Sequence, residues 1–494
     1  MSQTLERRLG LVDATMLVVG SMIGSGIFIV SAESARWVGA PGLLLLAWAL
    51  AGVMTITGAL CCAELAAAMP RAGGQYVFLR EAYGPAVGFL FGWAFLFVIQ
   101  TGTIAAVAVA FANFSGVVAP SISSSRYIIE PVRVGNYALS LSTLQATAIA
   151  TILVLTFVNS RGLRLGKFIQ NTFTVAKTAA LIGLVIFCLV MGRNAGGAAF
   201  TSSWWNPSAN SAPPTLAMVG SVVLFMLLGR AMVGPLFAQS AWNNVTFMGA
   251  EIRDAPRNLP RALLIGCTLV VTLYLLANLG YILTLSLDEI QRAPQGRVAT
   301  AAMYKILGTP GTVLMASAIM ISTFGCLNGL IQAGARIAYA MAHDGLFFAR
   351  AGHVNRYRVP GVALAAQGIW ASLLTLPRTA TLDATTGQVA YGNVYTQLLE
   401  YLVPADLILY ALMVAAVIVM RKKAPTMERP YRTWGYPVVP AIYIALALLL
   451  VVDLLWLAPA TSGVGYLIVL VGFPVYLLWR RARVRVVAPA AVSS

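Results

Sequence analysis

The sequence predicts an all-α membrane protein with about twelve transmembrane helices. Three observations carry this: the composition, a succession of long apolar runs, and the placement of the cations between them. Of 494 residues, 59% are hydrophobic and only 10% are charged. A soluble domain carries about a quarter charged residues. A chain this apolar lacks the polar surface to cover its own core in water, and a bilayer removes that difficulty.

A spanning helix needs roughly 20 apolar residues. Such runs fall near 12–31, 42–66, 85–112, 139–159, 167–192, 221–250, 262–285, 311–341, 360–376, 395–420, 434–457 and 463–480. The stretch 193–220, with Trp204, Trp205, Pro207, Pro213 and Pro214, reads as a loop at the membrane interface. The apolar run 215–229 before Arg230 is long enough for an extra interfacial helix.

The net charge of +17 does not imply nucleic acid, because the cations sit in short loops between apolar runs. With both ends cytoplasmic, 23 of the 33 Lys and Arg fall in inner segments and 8 in outer ones. This predicts a multi-pass protein of the cell (inner) membrane with both termini cytoplasmic. Met1 to Leu11 is polar, and the first apolar run exceeds signal-peptide length, so no cleaved leader is expected. The short loops and tails suggest a bacterial plasma membrane.

The cysteines (Cys61, Cys62, Cys188, Cys267, Cys326) all lie inside apolar runs without metal-ligand spacing, which fits small buried hydrophobes. His343 and His353 have no second-ligand spacing either. No metal and no cofactor are expected.

The first run contains Gly20-Ser21-Met22-Ile23-Gly24-Ser25-Gly26-Ile27-Phe28. Three glycines in seven residues weaken a helix. Lipid-facing backbone cannot be left unpaired, so an unwound stretch must line a cavity. The half-helix that follows points its positive end into that cavity, which suits a carboxylate. The same glycine spacing also serves close helix packing. In the sixth run, Phe237-Ala238-Gln239-Ser240-Ala241-Trp242-Asn243-Asn244 is a second interruption. Alone, such polar residues act as interhelical glue. Two interruptions at corresponding places point to a transporter site. They correspond if the single transmembrane domain, 1–494, comprises two inverted repeats, 12–192 and 215–420, with two additional helices at 434–482.

The string DATMLVVGSMIGSGIFIV (13–30) resembles the first helix of the amino acid–polyamine–organocation superfamily. Within it, Gly24-Ser25-Gly26-Ile27-Phe28 is similar to the L-type amino acid transporter group. AAAMPRAGGQYVFLREAYGP (66–85), FTVAK (173–177), LFAQSAWNNVTFMGAEIRDAPRNLPRAL (236–263) and GARIAYAMAHDGLFF (334–348) extend the likeness over nearly the whole chain. The resemblance implies a LeuT-type fold of five-plus-five helices with the first and sixth discontinuous.

It also implies roles. In similar transporters the substrate carboxylate meets the first break, here Ser25, Gly26 and Ile27, beside Gly24. The amine meets carbonyls at Met22, Ile23, Phe237 and Ala238. Phe237 matches an aromatic that closes over the substrate from outside. Ser240 falls where L-type members have glycine, so Gln239-Ser240-Ala241 departs from the aromatic-glycine-glycine pattern and leaves the substrate open. Asn243 completes the polar cluster of the sixth run.

Lys177 sits about ten residues into the fifth run, too deep to snorkel, and is a functional candidate by depth alone. The alternative is a structural ion pair or a carbonyl-capping amine. In similar sodium-independent members a lysine here takes the place of a sodium ion. It is either a permanent cation surrogate or a proton-coupling group. Asp406, in the outer half of the tenth run, faces substrate, relays protons or pairs with a cation. Glu400 reads as a solvated end-of-helix charge, and Arg230 as rimming the outer vestibule or snorkelling. Glu64, Arg71, Arg80, Glu81, Glu251, Arg253 and Asp254 read as inner-gate salt bridges.

The function expected is sodium-independent amino acid transport by alternating access, as an exchanger. Proton-coupled amino acid or polyamine uptake is the alternative mechanism. A receptor that senses amino acids without transport would want a soluble effector module, and no tail exceeds about a dozen residues. An enzyme is not expected, since no HExxH, membrane GxSxG or paired-Asp motif is present. Eukaryotic L-type members bind a heavy chain through a cysteine between the third and fourth helices. The corresponding loop, 113–138, has none, so no disulfide-linked partner is expected.

Overall fold

The computed structural model describes residues 7, 9–135, 137–192, 204–207, 221–382, 389–457 and 459–487. The first apolar run forms two helices, α1 (Leu11–Met22) and α2 (Gly26–Val38). They are bent by 41° at the intervening break. α3 (Pro41–Ala68) follows, opened by a proline whose missing N–H would be unpaired in any case. A short helix, α4 (Gln75–Tyr83), precedes a long span built from α5 (Pro85–Ala94), a π-turn at Phe95–Ile99 and α6 (Gln100–Val118). α7 (Thr143–Ser160) and α8 (Leu163–Met191) complete the first half.

The sixth run is broken, as its polar cluster predicts. α9 (Ser221–Ala231) and α10 (Val233–Ala238) form one half, and the single turn α11 (Asn244–Phe247) opens the other. Then come α12 (Ala255–Thr284), the short α13 (Leu287–Gln291) and α14 (Val298–Leu307), and the long α15 (Thr309–His343). α16 (Gly361–Leu373), α17 (Val394–Lys423), α18 (Val438–Leu457) and α19 (Pro459–Val487) close the chain.

Among the described residues, nine helices are long and apolar enough to cross a membrane, and the bent α1–α2 pair makes a tenth. The remaining two predicted runs are shorter apolar helices, Val223–Ala238 and Gly361–Leu373. Most of the predicted loop 193–220, and the start of the run 215–229, lie outside the described residues. Within that loop the backbone of Trp204 accepts the Gly42 amide at 2.9 Å, at the start of α3.

The structure adds a small antiparallel sheet to the predicted helices. Its strands are β1 (Tyr127–Val134), β2 (Tyr137–Ser142), β3 (Pro377–Leu382) and β4 (Val389–Tyr391), in that order. The span placed at 139–159 therefore begins later, at Thr143. Residues 137–142 alternate between exposed and buried, a period-two pattern that belongs to a strand. Ser142 then caps α7 through the Gln145 amide at 3.2 Å. The span placed at 360–376 likewise ends at Leu373, before β3.

The N-terminal segment is pinned to one face, where Leu9 and Glu251 share a 3.0 Å backbone bond. The core is continuous and runs through all the long helices.

Candidate functional site

Both helix interruptions lie at the centre, back to back. A Cβ added at Gly26 would stand 2.5 Å from the Ala238 Cβ and 2.7 Å from its Cα. Only glycine permits that approach between α2 and α10. In the second break Ala241 adopts a left-handed backbone, with φ +65°.

A broken helix leaves carbonyls and amides unpaired, and at this depth they need partners. Side chains from surrounding helices supply them. Lys177 of α8, fully buried, donates to the Gly20 carbonyl. Cys326 of α15 reaches the Ser21 carbonyl at 3.5 Å. From α12, Tyr274 donates to the Met22 carbonyl at 2.8 Å and Tyr281 to the Ile27 carbonyl at 3.3 Å. Ser25 Oγ lies 3.1 Å from the hydroxyl of Tyr395 on α17. At the start of α2 the Phe28 amide donates to the Ser25 carbonyl at 3.1 Å, while the first amides of a helix lack an intrahelical acceptor.

In the second break, Ser240 turns its hydroxyl back onto the Phe237 carbonyl at 2.7 Å. Gln239 donates to the Trp48 carbonyl at 3.2 Å, and its own side-chain oxygen is buried without a partner. Asn243 donates to Gln75 at 2.6 Å and accepts from Tyr410 at 3.1 Å. Trp242 stacks on Tyr410 with ring centres 5.2 Å apart.

A central cavity of ≈ 20 Å³ is lined by both breaks, including Met22, Gly24, Ser25, Gly26, Phe237, Ala238 and Ser240. It holds about one water. A second cavity of ≈ 30 Å³ shares Phe237 and Ser240 with it and is also lined by Trp242, Asp406, Tyr410 and Tyr443. On the face away from the N-terminus opens a vestibule of ≈ 360 Å³, within the volume range of small-molecule sites. Tyr395 lines that vestibule, and its ring meets Phe237 edge to face at 6.0 Å. These two rings separate the vestibule from the central cavity.

Of the residues singled out from sequence, Met22, Gly24, Ser25, Gly26, Phe237, Ala238 and Ser240 share the central cavity. Ile23 and Ile27 sit beside it, fully buried, without lining it. Asn243 lies apart, committed to Gln75 and Tyr410, and so ties the second break to α4 and α17. Asp406 lines only the adjoining cavity. Tyr395 was not anticipated. Its signal in the sequence is an aromatic at a helix start, which is common at membrane interfaces.

Glu400 is not a free solvated charge. It pairs with Arg230 at the vestibule wall, and the Arg230 guanidinium lies 5.1 Å from the centre of the Trp37 ring. On the N-terminal face, Glu251 pairs with Arg336 at 2.9 Å, both buried. Arg80 pairs with Glu81 at 2.8 Å and with Asp344. Tyr76 donates to Asp344 at 2.7 Å, and burial pushes its phenol up, with the bond to Asp344 adding to the effect. Arg71 stands 3.6 Å from Glu81. Glu64 is held by Arg421 at 2.7 Å and by the Thr433 amide at 2.7 Å. Arg253 and Asp254 do not join this network. Both are exposed; among the described residues the Asp254 carboxylate pairs with Arg257, at 4.0 Å, and Arg253 donates to the Arg7 carbonyl at 3.4 Å.

A family model described as amino acid permease matches residues 9–479. Large neutral amino acids transporter small subunit 2 of Mus musculus is 30% identical over 476 residues, spanning 96% of this chain and 81% of its own. Asc-type amino acid transporter 1 of Homo sapiens is 29% identical over 488 residues, with 96% and 83% covered. The b(0,+)-type amino acid transporter 1 of Homo sapiens is 29% identical over 460 residues, with 93% and 84% covered.

Proposed function

The chain belongs to the amino acid permease family, and from that premise we propose that it exchanges amino acids across the cell membrane by alternating access, without sodium. The observation that carries this reading is the meeting of two broken helices at Gly26 and Ala238 around a small polar cavity. Free amides at the start of α2 attract the substrate carboxylate, aided by the helix dipole. Carbonyls at Met22, Phe237 and Ala238 receive the substrate amine. Lys177 holds the end of α1 in place as a fixed cation where a sodium-coupled carrier would hold an ion.

The three cavities describe one step of the cycle. The vestibule is open, the Phe237–Tyr395 pair closes off the centre, and the ion pairs around Glu251, Asp344 and Glu64 latch the N-terminal face. If the basic loops are cytoplasmic, that face is the inner one and the vestibule opens outward. The segments 12–192 and 215–420 act as inverted repeats, and 434–482 adds two helices. The name "small subunit" of the Mus musculus relative denotes an assembly. In this chain the five cysteines are buried and the loop 113–138 contains none, which supports function without a disulfide-linked partner.

The test is counterflow in proteoliposomes. Vesicles preloaded with an unlabelled amino acid mixture should accumulate labelled amino acid, and empty vesicles should not. Equal uptake into empty vesicles would replace exchange by uniport or proton-coupled uptake.

A further inference from the structure

Next to the central cavity lies a carboxylate that the protein leaves uncompensated. Asp406 lines the ≈ 30 Å³ cavity with Thr55, Trp242, Tyr410 and Tyr443, and no Lys, Arg or His shares that lining. Asp406 makes no hydrogen bond among the described residues, whereas the Arg230–Glu400, Glu251–Arg336 and Glu64–Arg421 carboxylates are all matched by guanidinium groups. A carboxylate at membrane depth is costly unless a cation or donors answer it.

The walls suit a cation. Trp242 and Tyr410 stack at 5.2 Å and an interplanar angle of 19°, and Tyr443 of α18 adds a third aromatic. Aromatic faces beside a carboxylate form a recurring recognition site for ammonium and guanidinium groups. A glycine of α3 lets two of these rings pack closely behind the cavity. A Cβ at Gly58 would meet Tyr443 Cε2 at 3.0 Å and Trp242 Cζ2 at 3.3 Å. The void holds about two waters, enough for an ammonium group. It adjoins the central cavity through Phe237 and Ser240, which line both. A substrate anchored by its α-carboxylate at Ser25 and Gly26 would send its side chain past Ser240 toward Asp406.

We propose that the cavity of Asp406, Trp242, Tyr410 and Tyr443 is the side-chain subsite of the transported amino acid, and that it takes a cationic side chain such as that of lysine, ornithine or arginine. This rests on the exchange reading above. Ser240 lines both cavities, and a bulkier side chain there would fill the space between them.

The test measures counterflow of labelled L-lysine and L-leucine by the reconstituted full chain, and binding of both in detergent by thermal shift. Wild type should prefer lysine. Asp406→Asn, which keeps shape and removes charge, should lower the lysine-to-leucine ratio by roughly tenfold to a hundredfold, the range for losing a hydrogen bond to a charged group. Ser240→Leu should lower the same ratio while Asp406 stays in place. Leucine counterflow without lysine counterflow in wild type would overturn the subsite and leave the transport reading standing. Failure of both amino acids, with no thermal shift by any amino acid, would overturn both. An Asp406→Asn protein that slows both substrates equally would make Asp406 a proton carrier or a structural residue and also overturn the subsite.

Discussion

The hydroxyl of Tyr395 lies 3.1 Å from Ser25 Oγ, so a side chain of α17 touches the turn between α1 and α2. The same ring packs edge to face on Phe237 at 6.0 Å. One residue thus contacts both helix breaks and forms the floor of the vestibule. In the proposed cycle, substrate entering from that side displaces it, and closing over substrate restores it.

Two substitutions separate the ring from the hydroxyl. Tyr395→Phe keeps the partition and loses one hydrogen bond, worth about 1 kcal/mol net, so exchange should fall only several-fold. Tyr395→Ala removes the partition, and efflux of preloaded substrate into buffer lacking amino acid should rise while counterflow falls. Proteoliposome flux in both directions checks this. Equal behaviour of the two variants would remove Tyr395 from the gate.

Ser25→Trp places an indole in a cavity that holds about one water. No substrate should fit, and labelled amino acid exchange should be lost. A melting curve in detergent shows whether the variant is folded. A folded Ser25→Trp protein with unchanged flux would move the binding site elsewhere.

The two breaks were legible because glycine and polar clusters at mid-membrane are expensive unless they line a cavity, and residues of both clusters do. Lys177 was legible for the same reason, as a charge too deep to reach water. The partners were not legible. Asp344 answers Arg80, Arg336 answers Glu251 and Arg421 answers Glu64. Each lies far along the chain, and a basic residue at a helix end carries a topology signal that hides its pairing. Arg253 and Asp254 show the converse, since they lie in the strongest motif block yet stand outside that ion-pair network among the described residues. Asn243, polar and central, reads from sequence as a substrate-binding candidate. Its amide is instead consumed by Gln75 and Tyr410. The sheet was hidden because its strands come from two loops more than two hundred residues apart, each too short to signal alone.

Lys177→Ala would leave the Gly20 carbonyl without its donor at full burial, a loss of about 1–3 kcal/mol in the geometry of the break. Exchange should fall tenfold or more, with membrane expression retained on a fluorescence-detected sizing column. In wild type, replacing sodium by choline should leave counterflow unchanged. A strict sodium requirement would contradict the role of Lys177 as a fixed cation, and wild-type rates in Lys177→Ala would reduce it to packing.

Glu251 and Arg336 form a buried ion pair of the N-terminal face, 2.9 Å apart, with Arg336 also donating to the Gln332 carbonyl at 2.7 Å. Removing one partner of such a pair costs about 3–5 kcal/mol, because the other is left charged and alone. Arg336→Met should therefore lower the melting temperature sharply. Adding Glu251→Leu should recover much of it, since two packed apolar groups replace a buried pair at little or no loss. Exchange should not recover with it. A latch must break once in every cycle, and water can solvate separated charges in the open state, whereas an apolar pair gains nothing from opening. If the double variant regains both melting temperature and counterflow, the pair serves stability alone and the latch must lie with Asp344 or Glu64.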